Sequence, residues 1–381
     1  MTPESSSPPA PGRTELGREI LARLAGSAEP DGFIPFDRFM EVALYADGLG
    51  FYAGPESPLG PAGSFYTAAH VSPLFAETLG AHLGELAERL GPELPLRLVE
   101  VGPGDGSLAE GVLRSFANGP GAAPFREFLL VERSRSLRDA AVARATVAAG
   151  PRGPVVRGSG SVSEDGPFNG IVFANELLDA QPVRRLRFDG PGWTELGVRR
   201  DGDRLLPAEA PCRVAPPGAP LPSVEPGTVV EVAPAAEAFL REVADHLERG
   251  VLLLVDYGTE ESELVRAHPR GSLAAIRSHR FEDDPIAEPG RLDLSTFVNF
   301  TRIRDAARRA GLVEVYSASQ AEALGAWGLP ARLEAAVASA GSAEAQVRLR
   351  LAAKSLLFGF ERFRVFEFTT SAVAAGRLPV T

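Results

Sequence analysis

Three glycines alternate directly after an apolar strand pattern, and an acid stands just before them. The order is Glu100, Gly102, Gly104 and Gly106, followed by a helical pattern that begins at Ser107. Glycines allow a sharp turn and a close approach of the backbone to a ligand, and the helix presents unpaired N–H groups with the positive end of its dipole. The loop therefore predicts a site for a nucleotide-like cofactor.

The acid before the first glycine bears on the kind of cofactor. A fixed carboxylate at Glu100 disfavours a phosphate, whereas the sulfonium, amino group and ribose hydroxyls of S-adenosylmethionine tolerate or use one. A second register, Gly104-x-Gly106-x-x-Ala109, also satisfies a loose dinucleotide fingerprint, and glycine-rich turns occur without any ligand. The loop alone favours methyl transfer and leaves a dehydrogenase open. A P-loop is disfavoured, because Lys354 lies far from these glycines.

Polar side chains also follow the later strand patterns. In a mostly parallel sheet, ligands lie beyond the carboxyl ends of the strands. Each of these acids alone is equally well explained as a helix cap, whereas together they predict one site. The candidates after the second, fourth and fifth strands are Glu132, then Asn175, Glu176 and Asp179, and then Asp256 and Tyr257.

These residues fit the two halves of a methyl transfer, which mainly needs donor and acceptor held in line and water excluded. Glu132 is placed to accept hydrogen bonds from both ribose hydroxyls of the donor, as an acid does in dinucleotide folds. Adenine is expected near 158–162, which includes Ser159. On the acceptor side, Glu176 and Asp179 suit a guanidinium, a poor nucleophile until carboxylates orient it. The same carboxylates could instead bind the donor's amino group or brace the loop.

The pattern from residue 96 onward predicts the scaffold that positions these groups. Short apolar strands alternate with helical segments, which is typical of a mostly parallel α/β sheet with helices on both faces. The expected strands are 97–101, 127–131, 170–174 and 251–255, and the expected helices are 107–116, 136–149 and 234–249.

The rest of the chain is expected to surround this core. Residues 1–13 are rich in Ser and Pro and predict a disordered tail, and 14–92 predict a helical front section that acts as a lid. The methyltransferase core, 93–381, is expected to carry a β-hairpin insertion at 184–228 and a substrate-side segment at 259–300.

The composition bounds the class of protein. With 381 residues and 44% hydrophobic content, the chain is long enough for one large domain with insertions or for two domains. The formal net charge of -11 argues against broad binding to nucleic acid. The single cysteine, Cys212, excludes an intrachain disulfide or a cysteine-cluster metal site, and no metal is expected. No apolar run is long enough to span a bilayer and no secretion signal is evident, so a cytoplasmic location is the default expectation.

Several motifs in order along residues 33–330 together resemble the MidA-like family of class I S-adenosylmethionine-dependent methyltransferases. The most specific is the run A-N-E-L-L-D-A-Q-P-V from Ala174 to Val183. The other motifs are Ile34-Pro35-Phe36, Gly50-Phe51-Tyr52, Gly63 to Thr67, the glycine loop, Val131-Glu132-Arg133-Ser134, Asp256-Tyr257-Gly258, Gly271-Ser272-Leu273, His279 and Asp293-Leu294-Ser295.

The resemblance implies a Rossmann-like, mostly parallel seven-stranded sheet with S-adenosylmethionine as cofactor. The mitochondrial member of that family is an arginine methyltransferase that assists assembly of respiratory complex I, which implies an arginine of a partner protein as acceptor. A small-molecule acceptor, and a donor-binding assembly factor with little catalytic activity, stay open as alternatives. A homodimer is a further expectation.

The resemblance also extends the set of site residues. It implies Thr67 and Asn175 on the cofactor side, and Tyr52 beside Asp256 and Tyr257 on the substrate side. Asn175 and His279 join the catalytic set, although a structural role for His279 is equally open. The chain departs from the family pattern where an acceptor would approach, at Ser64, Ala69, His70 and Ile276.

Overall fold

The computed structural model describes most of the chain, namely residues 14–54, 72–91, 94–117, 123–214, 224–278 and 280–375. Several predictions fall on the remaining residues and lie outside the described part. They concern the 1–13 tail, Thr67 and His279, and the departures at Ser64, Ala69 and His70.

The first two helices of the chain pack around an apolar cluster that later segments share. The elements are α1 (Glu15–Gly26), β1 (Phe33–Pro35), α2 (Phe36–Tyr45) and then α3 (Pro73–Leu90). Helix α1 begins at Thr14, whose side chain accepts a hydrogen bond from the N–H of Gly17. Its buried face joins that of α2 in one cluster, whereas α3 packs into the core of the central sheet.

The central α/β unit follows. Its first half consists of β2 (Arg97–Val101), α4 (Ser107–Ala117), β3 (Glu127–Val131), α5 (Arg135–Ala149), β4 (Val155–Ser159) and β5 (Phe168–Asn175). The second half consists of α6 (Pro234–His246) and β10 (Leu247–Thr259), and later β15 (Leu312–Ser319), α9 (Gln320–Ala326), α10 (Leu329–Ser339), α11 (Ala343–Phe358), β16 (Phe363–Thr370) and α12 (Ser371–Ala375).

The strand order confirms the expected α/β class. Along the sheet the order is β15-β16-β10-β5-β2-β3-β4. The strands from β10 to β4 are parallel, and β16 runs antiparallel to both of its neighbours. The centre of β10, Val251 to Val255, is buried on both faces because one apolar cluster with α3 and α4 covers one side and a second with α6 covers the other.

One helix boundary differs from the sequence prediction. The helix expected at 234–249 ends at His246, because Leu247 already pairs with Phe168 as the first residue of β10. Long-range strand pairing therefore overrides the helical pattern at this point.

The insertion forms a larger antiparallel sheet than a hairpin. It contains β6 (Arg184–Phe188), β7 (Trp193–Asp201), β8 (Arg204–Pro211) and β9 (Val229–Val232). Strand β1 from the front of the chain pairs with β7, so the sheet has five strands. The front section and the insertion are therefore one structural unit.

The segment after β10 completes this unit. It contains α7 (Glu261–Ala267), β11 (Ala274–Arg277), β12 (Arg280–Glu282), β13 (Asp293–Ser295), β14 (Val298–Asn299) and α8 (Phe300–Arg309). Strands β12, β11 and β13 form a small sheet whose residues Ala275, Leu292 and Leu294 enter the same apolar cluster as α1 and α2. We call the front section, the insertion and this small sheet the cap. Among the described helices, none combines the length and apolar character needed to cross a membrane.

Candidate active site

A cavity of about 480 Å³ opens at the carboxyl ends of the parallel strands. Its walls come from the glycine loop after β2 and from the residues that follow β3, β4 and β5. Helix α6 and the cap residues Glu41, Tyr45 and Tyr52 close the remaining sides. The volume lies in the range of small-molecule sites, and the position is the one expected for ligands of doubly wound sheets.

The first two glycines of the loop line this cavity. Gly102 has φ +73° and Gly104 has φ +55°, a region that residues with a Cβ rarely adopt. A Cβ added to Gly102 would lie 2.9 Å from Cδ1 of Leu177. The loop therefore presents bare backbone to the cavity and packs closely against the segment after β5.

Gly106, the third glycine, has a different position. It does not line the cavity, and a Cβ added there would lie 2.7 Å from the Cα of Ala141 on α5. Its φ of +79° also requires glycine. The structure thus places Gly106 away from the cavity wall, where contact with the cofactor was predicted. Its role in the structure is to let α4 start close to α5.

Glu100 lies at the base of the cavity as a buried carboxyl group. Burial, together with the neighbouring carboxylates of Asp105 and Glu132, raises its pKa to about 8. Its Oε2 is buried without a hydrogen-bond partner among the described residues. A buried acceptor of this kind is normally satisfied, so the atom is suited to a ligand that donates a hydrogen bond.

Glu132 lines the cavity at the end of β3, as expected. Its Oε1 accepts a hydrogen bond from the N–H of Ser134 at 2.9 Å, and the carboxylate also accepts one from the N–H of Gly104. Burial outweighs these hydrogen bonds and raises the pKa of the carboxyl group. The side chain is thus held in place by the same loop that forms the floor of the cavity.

The stretch expected near adenine enters the site in part. Gly160, Ser161 and Val162 line the cavity, but Ser159 is buried behind them. Its Oγ lies 2.6 Å from both the carbonyl oxygen of Ser161 and Oε2 of Glu164. Ser159 therefore shapes the turn after β4 and does not face the cavity.

Asn175 and Glu176 bring polar atoms to the part of the cavity wall formed at the end of β5. Glu176 has φ +53°, which is rare and costly for a residue with a side chain, and its N–H donates to the carbonyl oxygen of Val255 at 2.8 Å. Nδ2 of Asn175 donates to Oε1 of Glu176 at 3.1 Å, while its Oδ1 is buried without a partner among the described residues.

Asp256 holds that strained turn from behind. Its Oδ2 accepts hydrogen bonds from the N–H groups of Leu177 at 3.1 Å and Leu178 at 2.7 Å, and its Oδ1 accepts from the N–H of Tyr257 at 2.9 Å. Burial raises its pKa to about 7 despite these bonds. The carboxylate fixes the segment that carries Glu176 and does not line the cavity.

Asp179 and Tyr257 are also behind the wall. The buried Asp179 carboxyl group accepts a hydrogen bond from the Tyr257 hydroxyl, and burial with the nearby Asp256 and Asp293 raises its pKa well above the usual range. Neither side chain lines the cavity. The expected pair of acceptor-side carboxylates is therefore not brought together: Glu176 faces the cavity and Asp179 faces the protein interior.

Tyr52, expected on the substrate side, enters the site together with residues that were not predicted as site residues. Tyr45 stacks on Tyr52 with ring centroids 5.6 Å apart, and the Arg133 guanidinium lies 4.7 Å from the centre of the Tyr45 ring. Arg133 also forms an ion pair with Glu41. The motifs were the available signal, since Arg133 stands within Val131-Glu132-Arg133-Ser134 and Tyr45 precedes the Gly50-Phe51-Tyr52 motif.

The donor set of this cavity fits S-adenosylmethionine. Two buried oxygens without partners in the described part of the chain, Glu100 Oε2 and Asn175 Oδ1, suit an ammonium or hydroxyl donor. Bare backbone at Gly102 and Gly104 leaves room for the methionine chain. Glu132 at the end of β3 suits a ribose diol. A mostly parallel sheet with this strand order and an acid-lined glycine loop defines a Rossmann-like methyltransferase.

Similarity to known proteins identifies the family. The model of the family described as "Putative S-adenosyl-L-methionine-dependent methyltransferase" matches residues 78–318. The chain belongs to this family and is an S-adenosylmethionine-dependent methyltransferase, which confirms the resemblance found in the motifs. A crystal structure from Burkholderia thailandensis bound to S-adenosylhomocysteine is 31% identical, with a TM-score of 0.84 over 96% of this chain and 95% of that one.

Curated relatives carry a more specific name. The Drosophila melanogaster protein is named protein arginine methyltransferase NDUFAF7 homolog, mitochondrial, and is 28% identical over 82% of this chain and 74% of its own length. The Mus musculus protein arginine methyltransferase NDUFAF7, mitochondrial, is 26% identical over 90% of this chain and 82% of its own length. The expectation of a cytoplasmic location is wrong by this comparison, because these relatives are mitochondrial proteins.

Proposed function

We propose that this methyltransferase modifies an arginine of a partner protein and that Glu176 holds the guanidinium. The observation that carries the proposal is the conformation of Glu176, whose strained backbone brings a carboxylate to the cavity wall beside the glycine loop. Backbone strain persists only where the surroundings impose it, and Asp256 does so here through Leu177 and Leu178. The names of the curated relatives support the same acceptor.

On the donor side, five residues bind S-adenosylmethionine. Gly102 and Gly104 admit the methionine chain along bare backbone, and Asn175 Oδ1 accepts a hydrogen bond from its ammonium group. Glu100, whose Oε2 also lacks a hydrogen-bond donor among the described residues, faces the same ammonium group. Glu132 accepts hydrogen bonds from the ribose hydroxyls. S-adenosylmethionine supplies a methyl group on a positively charged sulfur. The protein's contribution is to align this group with the acceptor and exclude water.

On the acceptor side, a single carboxylate of this chain orients the guanidinium. Glu176 can accept two parallel N–H bonds from it, the strong bidentate arrangement of arginine with a carboxylate. This fixes the plane of the guanidinium and presents one nitrogen to the methyl group. Asp179, the second carboxylate expected for this task, is left out because it does not line the cavity.

The test follows an isotopically labelled methyl group from the donor into a protein extract of cells that lack this protein. Acid hydrolysis and amino-acid analysis are expected to place the label on methylarginine. Glu176→Gln is expected to lower transfer by about 10²-fold, the scale of a lost transition-state contact, while the donor Kd changes by less than about threefold. Glu263→Gln, a half-exposed acid on α7, is the matched control and is expected to transfer normally.

Three outcomes contradict the proposal. Label recovered in small molecules, with none in protein, identifies a small-molecule methyltransferase. Equal losses of transfer and donor affinity in Glu176→Gln place that residue on the donor side. An extract that takes up no label, together with intact donor binding, supports a donor-binding factor with little catalytic activity.

A further inference from the structure

The two tyrosines on the cap side of the cavity have hydrogen-bond partners of different chemistry. The hydroxyl of Tyr45 donates to the carbonyl oxygen of Ala180 at 2.9 Å. The hydroxyl of Tyr52 donates to Oδ1 of Asp293 at 2.7 Å. A peptide carbonyl does not take up a proton at neutral pH, whereas a carboxylate does. The stacked rings therefore differ in what their hydroxyls can pass on.

Asp293 is built to receive a proton rather than to form an ion pair. It lies on the buried strand β13 with 1% of its surface exposed, and its Oδ2 has no hydrogen-bond partner among the described residues. Burial raises its pKa to about 6, and the hydrogen bond from Tyr52 works in the opposite direction by favouring the carboxylate.

The transfer reaction has a proton to place. When a guanidinium nitrogen takes a methyl group, the N–C bond forms and the C–S bond breaks with its electron pair left on sulfur. One N–H proton must then leave the methylated nitrogen. Glu176 orients the guanidinium through its N–H groups, and where water is excluded from the reacting groups, as the proposed function requires, a group of the protein must take that proton.

We propose that Tyr52 and Asp293 form the proton-accepting pair of this methyltransferase. The Tyr52 hydroxyl oxygen takes the proton from the acceptor nitrogen as its own proton passes to Asp293 Oδ1. The carboxyl group returns the proton to solvent after the products leave. Tyr52 is the catalytic residue, and Asp293 acts through it. This inference rests on the proposed function, since it requires an acceptor that carries an N–H group.

The surroundings of the pair favour a concerted transfer. Burial, with Asp293, Tyr45 and Asp179 nearby, raises the pKa of Tyr52 well above 10, so a free tyrosinate does not accumulate. The groups that face Asp293 are Tyr52 and Tyr45 from the cap and Asp179 from the segment after β5, with Asp256 and Tyr257 behind Asp179. None of these facing groups is a cation that would hold the Asp293 carboxylate in an ion pair.

The kinetic test compares the two tyrosines. Because Asp293 must be ionised to accept, kcat of the wild type is expected to rise with pH through about 6 and then level off. Tyr52→Phe and Asp293→Asn are each expected to lower kcat by at least about 10²-fold, the usual scale of general-base catalysis, and to remove this rise. Tyr45→Phe is expected to lose much less and to keep it. Asp293→Glu is expected to restore part of kcat.

Infrared titration of the donor-bound protein tests the pair without turnover. A buried carboxyl band that disappears in Asp293→Asn is expected to titrate near pH 6. It is expected to titrate at higher pH in Tyr52→Phe, which loses the bond that favours the carboxylate, and to stay in place in Tyr45→Phe. If only the proposed function is wrong, these bands titrate as predicted and the methyl label is found on a group other than arginine. A band near pH 4, or equal kinetic losses in both tyrosine variants with the pH rise intact, overturns the pair.

Discussion

Two acids near the ends of parallel strands, Glu100 and Asp256, differ in their hydrogen bonding. Glu100 lines the cavity and keeps one buried oxygen without a partner among the described residues. Asp256 faces away from the cavity and accepts three backbone N–H bonds. Similar positions in the sequence therefore give different roles: Glu100, with an unmet oxygen beside the cavity, is suited to a ligand, and Asp256, filled by backbone donors, holds the chain.

The largest effect is expected from removing the acid that holds the chain. Asp256→Ala leaves the N–H groups of Leu177, Leu178 and Tyr257 without their acceptor, and we expect the free energy of unfolding to fall by about 3 kcal/mol or more. Urea unfolding measures this loss. Asp256→Asn keeps one oxygen acceptor and is expected to lose less, while the exposed Asp283→Ala serves as the control. A loss below about 1 kcal/mol for Asp256→Ala contradicts a holding role.

The next prediction concerns Glu100, where a substitution is expected to raise the free energy of unfolding at high pH instead of lowering it. Since the folded pKa of Glu100 is raised from 4.5 to about 8, its contribution to stability is complete below pH 4.5 and is lost as the pH rises toward 8. Glu100→Gln removes that loss. The variant is therefore expected to gain about 2 to 4 kcal/mol on the wild type between pH 5 and pH 8, at about 1.4 kcal/mol for each pKa unit.

Denaturant unfolding of the ligand-free proteins at both pH values measures this gain. The other buried acids are present in wild type and variant alike, so their pH dependence cancels in the difference. The prediction is contradicted if the stability difference between Glu100→Gln and the wild type is the same at pH 5 and pH 8, because Glu100 then ionises normally in the folded protein.

Local sequence patterns predicted the strands of the central sheet well, but they predicted poorly which side chains face the cavity. The bounds of β2 and β3 are the expected ones, since short apolar runs of a buried parallel strand are local signals. The pairing of β1 with β7 joins residues more than 160 positions apart, and no local pattern indicates it. The front section and the insertion were therefore expected as separate parts.

The same limit applies within the site. The sequence placed Ser159 and Asp179 near strand ends, and it placed Asp256 just after a strand that in the structure continues to Thr259. The partners that turn these side chains away from the cavity include backbone groups fixed only by the folded turns. Tyr52 was expected on the substrate side, and the structure adds its partner Asp293, 241 residues away. Which of several strand-end acids faces a ligand depends on such contacts.

The central claim is that Glu100 and Glu132, which line the cavity, bind the donor and that the acids behind the cavity wall do not. Calorimetric titration with S-adenosylhomocysteine of Glu132→Ala and Asp179→Asn tests this most directly. We predict that Glu132→Ala weakens binding by about 1.5 to 3 kcal/mol, the scale of hydrogen bonds to a charged group, while Asp179→Asn stays within about threefold of the wild type. Unchanged affinity in Glu132→Ala, or an equal loss in Asp179→Asn, would contradict the claim.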